Sequence, residues 1–357
     1  MYPALAVLEQ LAPGNRETTL WVGARGGMEA ELVKQAGISF TSIPAAGVHG
    51  VGLRALPGNL LQLGRGFFAA RKILHQFRPQ VMFFTGGYVA VPMALAGLRV
   101  PTLLYVPDIE PGLALKVLAR FADRIAVTAE ASRSYFPAGK DVRVSGYPTR
   151  ASMQAWQPAE AYAYFGFSPD IPTLLVTGGS LGALSLNRAL VAILDQLLSE
   201  MQIIHLTGQK TWEQFAPVRS QLAPELAARY RAYPYLHAEM GAALAVADLV
   251  LSRAGASSIG EYPHFGLPAI LVPYPHAWRY QKVNAGYLVQ HGAALELEDA
   301  ALDQQLLPAV RTLMADTQRR QAMRQAMQEL SQPQAANSIA QALQELAGDR
   351  KHKGNRP

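Results

Sequence analysis

Thr173-Leu174-Leu175-Val176-Thr177-Gly178-Gly179-Ser180-Leu181-Gly182-Ala183 is a short apolar and β-branched strand that runs straight into a glycine-rich turn opening a helix. Glycines at such a turn let the backbone approach a ligand, the helix behind them offers free N–H groups to a diphosphate, and Ser180 adds a hydroxyl donor. A tight turn with no ligand is the plainer alternative. Phe84-Thr85-Gly86-Gly87-Tyr88 also ends an apolar strand with Thr-Gly-Gly before a helix, so each half of the chain owns such a turn. Ser252-Arg253-Ala254-Gly255-Ala256-Ser257-Ser258-Ile259-Gly260-Glu261 repeats the logic one crossover later.

Outward from these turns the same alternation continues. Strand-like runs fall at 19–22, 81–85, 102–105, 125–128, 173–177, 203–207, 249–252 and 269–272, with helical periodicity at 28–36, 60–77, 113–121, 184–198, 257–265 and 280–291. Strands alternating with helices predict parallel sheets joined by right-handed crossovers, an α/β class. The segment 146–171, rich in Pro, Ala, Tyr and Gln, precedes a fresh strand and marks a boundary. The expected division is an N-terminal domain over 1–148, a second over 149–332, a helix over 333–348 packing back on the first, and a frayed charged tail over 349–357.

Composition narrows the function. At 357 residues the chain is long enough for two hydrophobic cores. With 50% hydrophobic and only 16% charged residues, disorder is excluded as the main theme. The net charge of +6, from 32 basic and 26 acidic residues, suits an anionic small molecule or a membrane surface but lacks the basic stripe that nucleic acid requires. Zero cysteines remove disulfide scaffolds, thiolate metal sites and thiol nucleophiles, and point to the cytoplasm. No membrane span or signal peptide is expected, since Pro92, Gly97, Arg99 and Pro101 break the most apolar stretch and Glu9 interrupts the first.

Single residues then become candidates. Glu261, expected one turn inside its helix, is placed to accept hydrogen bonds from a ribose diol, or simply to complement the helix dipole. The polar loop 273–285 follows an apolar strand, where such folds bind ligands. Asp108 with Glu110 superficially matches a metal-binding carboxylate pair, but Pro111-Gly112 and a helix follow, and capping is the favoured reading. Asp108 and the loop residue His49 are the candidate bases. In the helix at 60–77, Leu60, Leu63, Phe67, Ala70 and Leu74 form a core stripe. Leu61, Arg65, Phe68 and Lys72 share another face, either ordinary solvated surface or a seat on an anionic bilayer.

These residues resemble a family, the bacterial MurG enzymes, which transfer N-acetylglucosamine from UDP to undecaprenyl-diphosphate muramoyl-pentapeptide. The resemblance runs through Tyr2-Pro3-Ala4-Leu5-Ala6-Val7, Gly86-Gly87-Tyr88-Val89, Gly112-Leu113, Arg120-Phe121-Ala122-Asp123, Gly146 with Pro148 and Arg150, the two later glycine loops and Gly266-Leu267-Pro268. It implies a GT-B architecture, two Rossmann-like domains with the active site in the cleft between them. It also implies an inverting transfer from UDP-N-acetylglucosamine as donor substrate, with no cofactor and no metal, by a peripheral protein on the cytoplasmic side of the bacterial membrane. The diphosphate would meet Gly178, Gly179, Ser180 and Gly182, and the uracil the backbone near His237 and Met240. Ala256, Ser257, Ser258, Ile259, Gly260 and Glu261 would take phosphate and ribose, with Gln281 and Asn284 near the sugar and Arg150 at the hinge. Gly86, Gly87 and Tyr88 would line the other side.

The chain also departs from that family. Tyr105-Val106-Pro107-Asp108 stands where the family reads His-Glu-Gln-Asn, Tyr147 replaces an Asn, and Trp278 and Tyr280 replace an Asp and a Gln. The family's first strand and its Gly-Gly-Thr-Gly-Gly-His loop are expected upstream of Met1. The changed segments leave open a related transferase with another lipid or soluble acceptor, and a nucleotide-sugar-binding protein without catalysis.

Overall fold

Strands buried on both faces set the architecture. In this computed structural model, which describes residues 1–26, 29–45, 56–276 and 279–353, the chain divides into Met1–Arg150 with Pro333–Pro357, and Ala151–Gln332. The second unit holds the strands β7 (Thr173–Thr177), β8 (Gln202–Leu206), β9 (Tyr230–Tyr233), β10 (Leu249–Ser252), β11 (Ala269–Leu271) and β12 (Ala294–Glu296). They form one parallel sheet in the order β12-β11-β10-β7-β8-β9. β7, β8 and β10 are buried throughout, which explains their unbroken apolar character. Leu174, Val176, Leu186, Leu190, Ile203, Leu249 and Leu251 lie in one core with the helix Leu302–Ala315. Full burial of each such side chain contributes roughly 1.5–3 kcal/mol.

The first unit pairs β1 (Leu20–Ala24) with β2 (Ser39–Ile43) in one parallel sheet. A second carries β3 (Met82–Phe84), β4 (Thr102–Val106), β5 (Arg124–Val127) and β6 (Asp141–Val144) in that order. The helices Leu56–Phe77 and Ala90–Ala96 pack on each other, and a Cβ on Gly66 would lie 3.5 Å from the Pro92 ring and only 2.3 Å from the carbonyl oxygen of Pro44, just beyond β2. The last helix, Ala335–Lys353, contacts the first, Tyr2–Glu9, and β4.

Several expected elements change. The helix expected over 184–198 is two, Leu184–Ala192 and Leu194–Leu198, and that over 257–265 is a 3-10 turn, Ala256–Ile259, followed by Glu261–Phe265. The terminal helix continues to Lys353, so residues 349–353 are helical rather than a frayed tail. β2, β6, β9 and β12 add to the strands expected from sequence. No described helix is long and apolar enough to cross a membrane.

Candidate functional site

Counted from β7 as first strand, the second unit's order is third, second and first, then fourth, fifth and sixth, and the order reverses between β7 and β10. At such a switch point the loops after the two central strands leave toward opposite faces and open a crevice at the strands' carboxyl ends, where doubly wound sheets bind ligands. The loops here are the two glycine-rich segments singled out in the sequence. Gly178, Gly179, Ser180 and Gly182 follow β7 directly, and Ala183 caps the helix Leu184–Ala192. Gly179 and Ser180 are exposed, and Gly182 adopts φ +87°, which favours glycine.

After β10, Ala256, Ser257, Gly260 and Glu261 are half-buried, whereas Ser258 and Ile259 turn inward and the Ser258 hydroxyl donates to the Gly255 carbonyl at 2.6 Å. Glu261 is the first residue of its helix, not one turn inside it. The Asn284 side chain is fully buried and its Nδ2 donates to the Ala254 carbonyl at 3.1 Å, so it shapes this loop from behind rather than facing a sugar. Gln281 is half-buried at the start of the helix Tyr280–Gln290, and its Oε1 accepts from the Tyr274 backbone N–H at 2.8 Å. The exposed His237 donates its backbone N–H to Glu239, and Met240 opens the helix Met240–Val246.

Sequence reasoning gave Arg253 no role, yet its guanidinium joins the whole set. It is 9% exposed, pairs with Asp299 at 2.5 Å, donates to the Ser185 hydroxyl at 2.7 Å and to the Val272 carbonyl at 3.1 Å, and lies over the Tyr274 ring. One cation therefore holds the loop after β10, the start of the helix behind the β7 turn and the loop after β11. No spacing in the sequence links these partners, and only a lone Arg after an apolar strand hinted at them.

Other candidates belong to the first unit. Gly86 and Gly87 follow β3 with positive φ, and Tyr88 is exposed. Asp108 is half-buried just beyond β4. Glu110, only 2% exposed, pairs with Lys116 at 3.0 Å, while the helix Leu113–Leu118 is capped at Gly112 with no side-chain bond. The expected capping by this acidic pair is thus replaced by an ion pair reaching into the helix. Tyr105, standing where the resembling family has His, is fully buried with its hydroxyl 2.9 Å from that of Thr128. Burial pushes its pKa far up, so it stays protonated and supplies no base. Tyr147 is buried too, and Arg150 stacks over the Tyr2 ring at 4.4 Å. His49 and Trp278 lie outside the described residues.

Known proteins share this framework. Residues 1–127 match the glycosyltransferase family 28 N-terminal domain and residues 173–342 its C-terminal domain. A UDP-N-acetylglucosamine–N-acetylmuramyl-(pentapeptide) pyrophosphoryl-undecaprenol N-acetylglucosamine transferase of Roseiflexus sp. (strain RS-1) is 39% identical over 93% of this chain and 84% of its own. The protein of that name from Desulforudis audaxviator is 38% identical over 98% and 95%. The crystal structure of Acinetobacter baumannii MurG superposes with a TM-score of 0.75 at 27% identity, covering 96% of this chain and 95% of that one.

Proposed function

We infer the chemistry from one premise: the chain belongs to the MurG family of glycosyltransferases. It is a hexosyltransferase of GT-B architecture that moves N-acetylglucosamine from UDP-N-acetylglucosamine to undecaprenyl-diphosphate-linked N-acetylmuramoyl-pentapeptide in peptidoglycan synthesis. In this inverting transfer an acceptor hydroxyl attacks the anomeric carbon, the bond to the UDP oxygen breaks, the hydroxyl proton passes to a base, and UDP departs with the new negative charge.

The residue roles are our reading. Its main support is that the turn at 178–182 and the loop at 253–261 flank the reversal of strand order. Backbone N–H groups of the turn and the Ser180 hydroxyl take the diphosphate, the dipole of the helix Leu184–Ala192 stabilises the leaving charge, and Glu261 binds the ribose diol. Met240 and His237 border the uracil, Gln281 meets the sugar, and Asp108 receives the proton. Helix dipoles and backbone donors meet the charge without a metal. The protein works as a peripheral enzyme on the cytoplasmic face of the membrane, the helix Leu56–Phe77 turning its basic and apolar face to anionic lipid.

Incubating the purified chain with UDP-N-acetylglucosamine and extracted lipid acceptor, with and without EDTA, tests this. Mass spectrometry should find the disaccharide lipid in both samples and a strong loss with Asp108→Asn. Loss of product with EDTA alone would overturn the metal-free route, and full activity of Asp108→Asn would remove Asp108 as base.

A further inference from the structure

A fully buried histidine stands behind the diphosphate turn. His205, on β8, has Nδ1 2.7 Å from the Tyr230 hydroxyl and Nε2 3.0 Å from Asn187 Oδ1, and Asn187 Nδ2 donates to the Thr207 carbonyl at 2.8 Å and to the Thr211 hydroxyl at 3.1 Å. His205, Asn187 and Tyr230 are all without solvent exposure. The direction of every proton follows. A carbonyl only accepts, so the NH2 of Asn187 faces Thr207 and its oxygen faces the ring. Nε2 then carries the hydrogen, and Nδ1 accepts from Tyr230. Burial lowers the imidazole pKa to about 3, so the ring stays neutral and this arrangement holds at every physiological pH.

The relay ends on the turn itself. Gly208, next to Thr207, approaches Gly182 so closely that a Cβ on Gly208 would lie 2.1 Å from the Gly182 Cα. The following residue, Gln209, donates its backbone N–H to the Ser180 carbonyl at 3.1 Å. Residues 207–211 therefore form the floor of the turn at 178–182, and Asn187 fastens that floor to the helix that the turn opens. Donors must sit within about 0.5 Å of the productive position to serve a phosphate, so a floor pinned from behind sets the height of the Ser180 backbone.

We propose that Asn187 and His205 are positioning residues for the donor diphosphate, acting through Thr207, Gly208 and Gln209 on Ser180. The proposal rests on the assignment of the diphosphate to this turn. Calorimetric titration of the full chain with UDP and with uridine tests the two separately. Wild type that binds UDP no tighter than uridine refutes the diphosphate assignment whatever the variants do. With that preference present, Asn187→Ala and His205→Leu should weaken UDP by about 10-fold or more and uridine by less than about 2-fold, because the base site lies elsewhere. His205→Gln keeps a donor facing Asn187 and should recover UDP affinity to within about 3-fold of wild type. Equal losses for UDP and uridine, or UDP affinity unchanged in Asn187→Ala and His205→Leu, would overturn the proposal. Should those two variants fail to fold, the half-buried Thr211→Val decides by the same split: a selective loss of UDP supports the relay, and unchanged UDP affinity overturns it.

Discussion

Glu261 and Arg253 sit on the same loop and act by different physics. Glu261, half-buried after Gly260, accepts from ribose hydroxyls in our reading, and Glu261→Ala should weaken UDP by roughly 1–3 kcal/mol in calorimetry. Equal affinity of mutant and wild type would take Glu261 out of that role. Arg253 is structural first. Removing its guanidinium leaves the part-exposed Asp299 without its cation and takes a donor from the Val272 carbonyl, so Arg253→Ala should cost about 2 kcal/mol of unfolding free energy, the range for losing hydrogen bonds to a charged group. Urea unfolding checks this, and a change below about 1 kcal/mol would make the cation dispensable. The glycine turns were legible in the sequence because a strand followed by glycines is a local pattern. Arg253 was not, because Ser185 lies 68 residues away and contact at that range follows from sheet order alone. Asn284 was placed on the sugar by resemblance, and only its burial reveals that it supports the Ala254 loop.

Among elements, the helix Leu56–Phe77 carries the clearest unexplained surface. Leu61 is 57% and Phe68 70% exposed, with Arg65 and Lys72 exposed on the same face, while Ala70 is buried in the core cluster on the other. Apolar bodies between cationic tips suit the anionic surface a lipid-linked acceptor occupies, each cation near the surface contributing about 1 kcal/mol. Sedimentation with phosphatidylserine vesicles should fall with added salt and fall further in an Arg65→Glu, Lys72→Glu double variant. Co-sedimentation indifferent to both salt and mutation would leave this face as ordinary surface. The strands show what a sequence makes legible at this scale. β7, β8 and β10 are interior and buried throughout, and their apolar runs announce them. The four that were missed, β2, β6, β9 and β12, all lie at a sheet edge. Asp141 and Arg143 alternate with Val142 and Val144 in β6, and in β9 only Tyr230 is fully buried while Arg231, Ala232 and Tyr233 are half-buried, because an edge strand is covered less completely.

At the scale of the whole chain, the first unit is discontinuous: its last piece, from Pro333, follows the entire second unit. An ion-pair clasp fastens that piece. Arg124 donates to Asp141 at 2.7 Å, to Glu345 at 2.7 Å and to the Ala342 carbonyl at 3.3 Å, and Arg143 reaches Asp141 and Glu345 at 3.2 and 3.1 Å. Partial burial pushes both carboxyl pKa values up, but the hydrogen bonds from Arg124 and Arg143 outweigh it and hold them below their ordinary 3.8 and 4.5. Carboxyls whose pKa is depressed by folding stabilise the folded state fully above the unfolded value, and lose that contribution as pH falls through the lower folded value. The clasp is therefore constant from neutrality down to about pH 5 and weakens below about pH 4. Both carboxylates are partly exposed, so solvent screening limits Glu345 to about 1 kcal/mol. Glu345→Gln should lower the thermal midpoint at pH 7 and pH 5 by the same few degrees, and the gap to wild type should narrow at pH 3 as Glu345 itself is protonated. A gap that is as wide at pH 3 as at pH 7 would show that the glutamate holds the last helix by packing, with its charge contributing nothing.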